Sequence, residues 1–483
     1  MVHQPEASFH TNVEIPSELK SKYEEIEKLF TISGDKLKEI TNHFINELNK
    51  GLSKESNIPM IPGWVMDYPT GEETGDYLAI DLGGTNLRVV LVTLKGNSDF
   101  SFTHSKFALP ESMRTAKSEE LWEFIAICLK EFVDEKFPNG PINGVEKIPL
   151  GFTFSFPASQ QAINSGFLQR WTKGFDIAGV EGHDVVPMLQ KAIEKFNVPI
   201  DVVALINDTT GTLVASMYSD PETKAGLIFG TGVNGAYYDK VSNILKIKGQ
   251  LPNDIQNDSP MAINCEYGAF DNEHLILPRT KFDLQIDSES PRPGQQTYEK
   301  MIAGYYLGEV LRLILIDFYN DGVIFKDQDI SKLKKTFIMD TSYPSRIEED
   351  AFENLDIVNE LFEKDLGIKT TNCEREIIHR LCILIGTRAA RLSICGVAAI
   401  CLKMNYTSGH CASDGSVFKR YPGFQQRAAE GLRDIFGWEC SPENYPIKLT
   451  AAEDGSGVGA AVIACLTEKR LKAGKSVGLK DGE

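Results

Sequence analysis

The run DVVALINDTTGTL sets Asn207 and Asp208 directly behind five apolar residues of strand character. Polar groups at the carboxyl end of a buried strand are where α/β proteins place ligands, although Asn-Asp-Thr-Thr-Gly is equally good turn chemistry. A carboxylate there can take the proton of an attacking hydroxyl, which makes Asp208 the candidate base. Three glycine-rich segments offer a second kind of chemistry: Asp81-Leu82-Gly83-Gly84-Thr85-Asn86-Leu87-Arg88, Gly230-Thr231-Gly232-Val233-Asn234-Gly235 and Asp454-Gly455-Ser456-Gly457-Val458-Gly459. Glycine leaves backbone N–H groups open to phosphate oxygens because no Cβ intervenes. One such loop alone reads as a hairpin turn. Two of them, with a third opening the helical stretch AAVIACL, point to phosphate binding. Asp81 beside its turn suits a hydrated magnesium ion, which takes few protein oxygens and keeps its waters. A base together with phosphate turns is what phosphoryl transfer asks of a protein, since that reaction rests on positioning and charge stabilisation.

Two competing nucleotide motifs fail on their context. Gly230 to Gly235 matches the dinucleotide fingerprint of an NAD-dependent oxidoreductase, but that motif must open a helix. Here AGLIF precedes it and AYYD, a turn at Val241-Ser242-Asn243 and ILKIKG follow, which predicts a second hairpin. Gly474-Lys475-Ser476 ends like a P-loop, yet Lys469 stands where that motif requires its first glycine. A sugar acceptor would need amides, carboxylates and a lysine, because each hydroxyl wants both a donor and an acceptor in a dry pocket. Ser155, Thr172, Lys173, Asn234 and Glu266 are candidates for that role, as is Glu299 in the first turns of a helix, where the dipole favours a carboxylate.

The elements that must hold these groups alternate. Ser17 and Ser33 can each cap a helix; Leu37, Ile40, Phe44 and Leu48 recur at helical spacing, and Gly51 is a plausible stop. LAIDLGGTNLRVVLV reads as strand, turn, strand, and LGFTFSFP as a strand ended by Pro157. Thr209 or Thr210 is placed to cap the helix after Asp208. Helical period runs from Leu121 to Phe137 and from Gln296 to Phe318. Strands alternating with helices predict α/β architecture, and the repeated strand-and-glycine-turn pattern at residues 83–85 and 230–232 suggests two lobes built on related hairpins.

Composition narrows the function classes. At 483 residues the chain exceeds the roughly 250–300 that a single core accommodates. Fifty basic against 68 acidic residues give a net charge of −18, a field that repels nucleic acid and anionic lipid. The nine cysteines are scattered and never spaced C-x-x-C, so neither a disulfide framework nor a zinc site is indicated. The N-terminal stretch lacks a signal-peptide pattern, residues 1–15 read as an untethered tail, and the apolar passage around Leu392–Leu402 is about half a membrane span. A cytoplasmic protein with no membrane partner is the expectation.

In their order along the chain, DLGGTNLR, LGFTFSFPAS, QRWTKGFD, INDTTGTL, IFGTGVNGAY, NCEYGAFDNEHL, ASDGSVFKRYPGF and AAEDGSGVGAA resemble the eukaryotic hexokinases, the fungal cytosolic type in particular, over about Ser33 to Lys475. The resemblance implies a two-lobed actin-like ATPase (ribonuclease H-like) fold with a central cleft. It implies one lobe of residues 73–208 and 453–483 and another of residues 1–72 and 209–452. It implies ATP and Mg2+ as cofactors, and glucose with fructose and mannose as substrates. Asp208 would be the base, and Ser155, Phe156, Thr172, Lys173, Asn207, Asn234, Glu266 and Glu299 would hold the hexose. The nucleotide would lie against Asp81, Gly83, Gly84, Thr85 and Asn86, against Gly230, Thr231 and Gly232, and against Gly415 and Ser416 on its adenosine side, with Asp81 meeting the metal through water. An exchange between monomer and homodimer and an added sugar-sensing role are both compatible with this family. No Lys or Arg precedes Lys20, so the basic tail with a phosphorylatable serine that some fungal relatives carry is not expected here.

Overall fold

The computed structural model describes residues 13–83, 85–138, 140, 146–171 and 175–480. Its strands are β1 (Ile61–Pro62), β2 (Thr74–Leu82), β3 (Asn86–Gly96), β4 (Asp99–Ala108), β5 (Ile148–Thr153), β6 (Ala158–Ser159), β7 (Phe167–Leu168), β8 (Ile200–Ile206), β9 (Thr223–Phe229), β10 (Val233–Lys240), β11 (Pro260–Asn264), β12 (Gly409–Asp414) and β13 (Ile447–Ala451). Among them run α1 (Ser17–Phe30), α2 (Gly34–Ser53), α3 (Ser118–Lys136), α4 (Val185–Lys195), α5 (Asp208–Ser219), α6 (Lys281–Glu289), α7 (Thr297–Ile302), α8 (Gly304–Asn320), α9 (Ser342–Glu348), α10 (Asp356–Leu361), α11 (Asn372–Lys403), α12 (Ser416–Arg420), α13 (Phe424–Phe436) and α14 (Ala460–Lys472).

Two sheets carry the molecule. One has the order β4-β3-β2-β5-β8, and the other β1-β11-β10-β9-β12-β13. Leaving out the two-residue β1, the two match strand for strand. Three consecutive strands pair antiparallel about a glycine turn, and two more add parallel to the first of them. The repeat in the glycine-turn pattern therefore reflects a repeated topology. Parallel strands need both faces covered, and the residues of β2 alternate accordingly. Leu78, Ile80 and Leu82 join a core with α3 and α4, while Tyr77 and Ala79 face the larger core that contains α14 and α5.

The larger core is centred on α11, 32 residues long. This helix is long and apolar enough to cross a membrane, but 83% of its most apolar window is buried inside the protein. Its Arg388 forms a buried bidentate pair with Asp283 of α6 at 2.8 and 2.9 Å and lies 4.0 Å from the centre of the Phe30 ring of α1. A buried pair is tolerable when its remaining lone pairs are satisfied, and Asp283 also closes a capping box with Thr280. All nine cysteines are free thiols, seven of them buried.

Several local expectations change. Ser33 caps α2 by accepting from Lys36 N–H, but Pro16 holds the cap position of α1, leaving Ser17 as its first residue. Helix α2 passes through Gly51, where a Cβ would stand 2.2 Å from Ile58 O, so this glycine permits a close crossing instead of a stop. Strand β5 ends at Thr153, before the Phe154-Ser155-Phe156 segment. The ILKIKG stretch is 3-10 turn, and β11 from further along the chain pairs with β10 instead. The helical period from Gln296 to Phe318 is two helices, broken at Ala303, because Gly304 N–H donates to Gly230 O at 2.8 Å and not to its own helix. Of the tail taken as 1–15, residues 1–12 lie outside the described residues.

Candidate active site

Strand β8 delivers the first site residues. Val202 to Ile206 are buried, and the chain then turns into α5, whose first residue is Asp208. The cap is Asn207, not Thr209 or Thr210: its side chain accepts from Thr209 N–H at 2.8 Å. Thr209 N–H also donates to Asp208 Oδ1 at 2.8 Å, which fixes the carboxylate at the positive end of the helix. Asn207 lines a cleft of about 910 Å³ together with Phe156, Asn264, Glu266, Arg170 and Trp64.

Glu266 lines the same cleft on a backbone with φ 55°, near enough to Asp208 for the two carboxylates to repel. Its Oε1 accepts from Asn264 at 2.9 Å and from Asn234 at 3.1 Å, and its own N–H donates to Asn234 Oδ1 at 2.9 Å. Asn234 also donates to Asn264 Oδ1 at 2.7 Å, so the two amides and the carboxylate form a closed network. Burial, with added repulsion from Asp208 and Glu299, pushes the Glu266 carboxyl up to about 7 despite the lowering effect of those amides. Glu299 enters from α7, accepts from Val233 N–H at 3.0 Å, and is itself raised by burial. Asp208, Glu266 and Glu299 thus form one acidic cluster, of which Glu266 lines the cleft. Asn264 and Arg170 escaped the sequence reading. Arg170 is held below its ordinary value by burial and by Arg292, and its Nε is buried without a protein partner.

The glycine turns stand at the sheet ends. Gly230 N–H donates to Gly232 O at 3.0 Å, and a Cβ on Gly232 would lie 2.7 Å from Glu299 Oε2, so this turn touches the acidic cluster directly. Gly415 closes on its other side with φ +104°, where a Cβ would meet Phe229 O at 2.3 Å. On the other sheet Gly83 N–H donates to Asn86 O at 3.0 Å, Asn86 Nδ2 donates to Thr85 Oγ1 at 2.9 Å, and Asp81 sits one residue from the end of β2. The third glycine segment is a single wide turn, Gly455–Gly459, capped by Asp454 and followed by α14. Ser155 follows β5 without lining the cleft. Gly84, Thr172 and Lys173 lie outside the described residues.

Two sheets of one topology, a cleft between them and glycine turns at their strand ends define a two-lobed actin-like ATPase fold. Family models described as Hexokinase match residues 22–218 and 224–466, and the chain belongs to the hexokinase family. It is 65% identical over 479 residues to a hexokinase of Kluyveromyces lactis, covering 99% of this chain and 98% of that one. It is 70% identical over 463 residues to a hexokinase of Schwanniomyces occidentalis, covering 96% of each. Among solved structures, the hexokinase from Schistosoma mansoni complexed with glucose matches with a TM-score of 0.81 at 34% identity, over 93% of this chain and 99% of that one. The chain is accordingly a sugar kinase.

Proposed function

We propose that the chain moves the γ-phosphoryl group of magnesium-bound ATP onto the C6 hydroxyl of glucose, and of fructose and mannose, with Asp208 as the base. The observation that carries this reading is the acidic cluster of Asp208, Glu266 and Glu299, with Glu266 lining the cleft beside Asn207 and Glu299 packed against the Gly230–Gly232 turn. Glu266, Glu299, Asn207 and Asn234 hold the sugar hydroxyls and Phe156 lines that pocket; Ser155, beside it in the chain, and Thr172 and Lys173, which lie outside the described residues, are assigned to the same sugar. The nucleotide rests on Gly83, Gly84, Thr85 and Asn86 of one lobe, and on Gly230 to Gly232, Gly415 and Ser416 of the other. Its phosphates meet backbone N–H groups of a turn that carries no Cβ at Gly230 or Gly232. Among the described residues no three His, Cys, Asp or Glu side chains gather as a metal cage, which suits a cation brought in on phosphate and met by Asp81 through water.

The sugar hydroxyl attacks the γ-phosphorus, its proton passes to Asp208, and the bond to the β–γ bridging oxygen breaks to release ADP. Magnesium, met through water by Asp81, would when bound offset charge on the phosphate oxygens. Residues 73–208 with 453–483 move as one lobe against 1–72 with 209–452, so that sugar binding completes the site and expels water. The reading sets the reaction in the cytoplasm, where free thiols stay reduced. Incubation with Mg-ATP and glucose, followed by NMR of the products, should give glucose 6-phosphate and ADP in equal amounts. Hydrolysis of ATP without sugar at a matching rate would contradict it.

A further inference from the structure

Arg170 springs from a fixed stretch of backbone. Gln169 N–H before it donates to Pro157 O at 2.8 Å, and Trp171 N–H after it donates to Glu181 Oε1 at 2.7 Å. The Trp171 ring secures that side, stacked on Phe175 with centroids 5.4 Å apart and edge-on to Phe156 at 5.0 Å. From this base the Arg170 side chain lines the cleft together with Asn207 and Glu266. Its Nε is buried and finds no acceptor among the described residues. Burial works against its charge, and so does Arg292, whose carbonyl O accepts from Lys300 Nζ at 2.7 Å; Glu266 is the group that favours it. A buried donor left without an acceptor is costly on a cation, and calls for a reason. The neighbours of Glu266 supply one. Asp208 at the start of α5 and Glu299 of α7 both repel it, Asn234 and Asn264 are neutral donors, and Cys265 beside it in the chain is a thiol that burial keeps protonated. Two other cations of this region are committed elsewhere: Lys300, beside Glu299, pairs with Asp287 at 2.6 Å, and Lys246 of the cleft wall donates to the carbonyls of Gly51, Pro59 and Met60.

We propose that Arg170 is a positioning residue for Glu266: its guanidinium supplies the positive charge that the acidic cluster lacks, and so sets the pH range over which glucose is held. This rests on the reading that Glu266 accepts from sugar hydroxyls. A cation close to a carboxylate favours its ionised form, and the ionised form is the better acceptor. Arginine suits the task because it stays charged even where it is partly buried, and because its anchored backbone leaves little freedom to lose when the sugar arrives.

KM for glucose from about pH 6 to about pH 9 in wild type, Arg170→Gln, Arg170→Lys, Glu266→Gln and the double variant of Arg170→Gln with Glu266→Gln tests the assignment. Arg170→Gln, which keeps a polar side chain and loses the charge, should move the acid-side rise in KM upward by about one pH unit, the shift expected for one nearby opposite charge. KM at pH 7 then rises roughly fivefold and rejoins the wild-type value near about pH 9, with the effect in KM and not in kcat. Arg170→Lys, which keeps the charge, should return the rise to its wild-type pH. In the Glu266→Gln background, Arg170→Gln should change KM no further. A rise that stays at the wild-type pH in Arg170→Gln, or a KM raised alike at every pH, overturns the assignment and leaves the sugar site standing. A wild-type KM in Glu266→Gln overturns the reading of Glu266 as a sugar contact and the assignment with it.

Discussion

At Glu266, function and folding pull in opposite directions. The folded protein holds its proton to about pH 7, against 4.5 for the free carboxyl. Between those values the folded state binds more protons than the unfolded one, so stability falls as pH rises through that window. Glu266→Gln removes the confined charge while its oxygen can still accept from Asn234 and Asn264. It should stabilise the protein by about 1–2 kcal/mol at pH 8 and by almost nothing at pH 4, read by chemical denaturation at the two values. Sugar affinity should behave oppositely. Ionised Glu266 accepts through two charged oxygens, whereas the protonated carboxyl keeps a single neutral acceptor, so wild-type KM for glucose should climb as pH drops below 7, while Glu266→Gln should be weak and flat across that range. Asn207 and Asp208 were legible as chemistry because they come straight after the apolar run of a strand, and Glu266 as a carboxylate outside the regular helices. Asn264 was not, since its role comes from the register that sets it opposite Ala236 and Ile61, and nothing local to an asparagine in a strand encodes that pairing.

Elements carry the next constraints through close backbone approach. A Cβ on Gly459 would stand 2.1 Å from Gly211 O, and one on Gly211 would stand 2.3 Å from Gly455 O, so α5 crosses the Gly455–Gly459 turn with no room for a side chain. Gly459→Ala should therefore cost about 3 kcal/mol or more, measured as a lowered denaturation midpoint. Gly415→Ala combines a φ of +104° with a collision against Phe229 O, and should abolish turnover while glucose still quenches tryptophan fluorescence. The two hairpins that carry the phosphate turns were readable from alternation and glycine, because local pattern and tertiary position agree there. The break between α7 and α8 was not readable. Thr297–Asn320 has helical period throughout, and it is the tertiary bond from Gly304 to Gly230 that interrupts it. The turn in place of an ILKIKG strand has the same origin, since β11 arrives from later in the chain to take that edge.

For the molecule as a whole, the repeated strand order gives two sheets that each carry a glycine turn at their strand ends, and under the proposed reading one movement would bring a phosphate-binding side to a sugar-binding side. The crossing of α5 and the Gly455–Gly459 turn links the two sheets: α5 packs on β9, and the turn is tied to the other sheet by Thr153 Oγ1 donating to Ser456 O at 3.0 Å and by Arg88 paired with Asp454. Saturating glucose should shrink the radius of gyration seen by small-angle X-ray scattering, and a sugar lacking the C6 hydroxyl should do the same without supporting turnover. Closure of this kind would explain how a hydroxyl outcompetes water, because the catalytic arrangement would be assembled only when sugar is bound. The most direct measurement is ADP release from Mg-ATP with and without glucose, in wild type and in Asp208→Ala, beside glucose binding followed by fluorescence. The account predicts release that depends on glucose in wild type and falls by roughly 10²-fold or more in the variant, with binding preserved. Release from Asp208→Ala at the wild-type rate would contradict the assignment of the base.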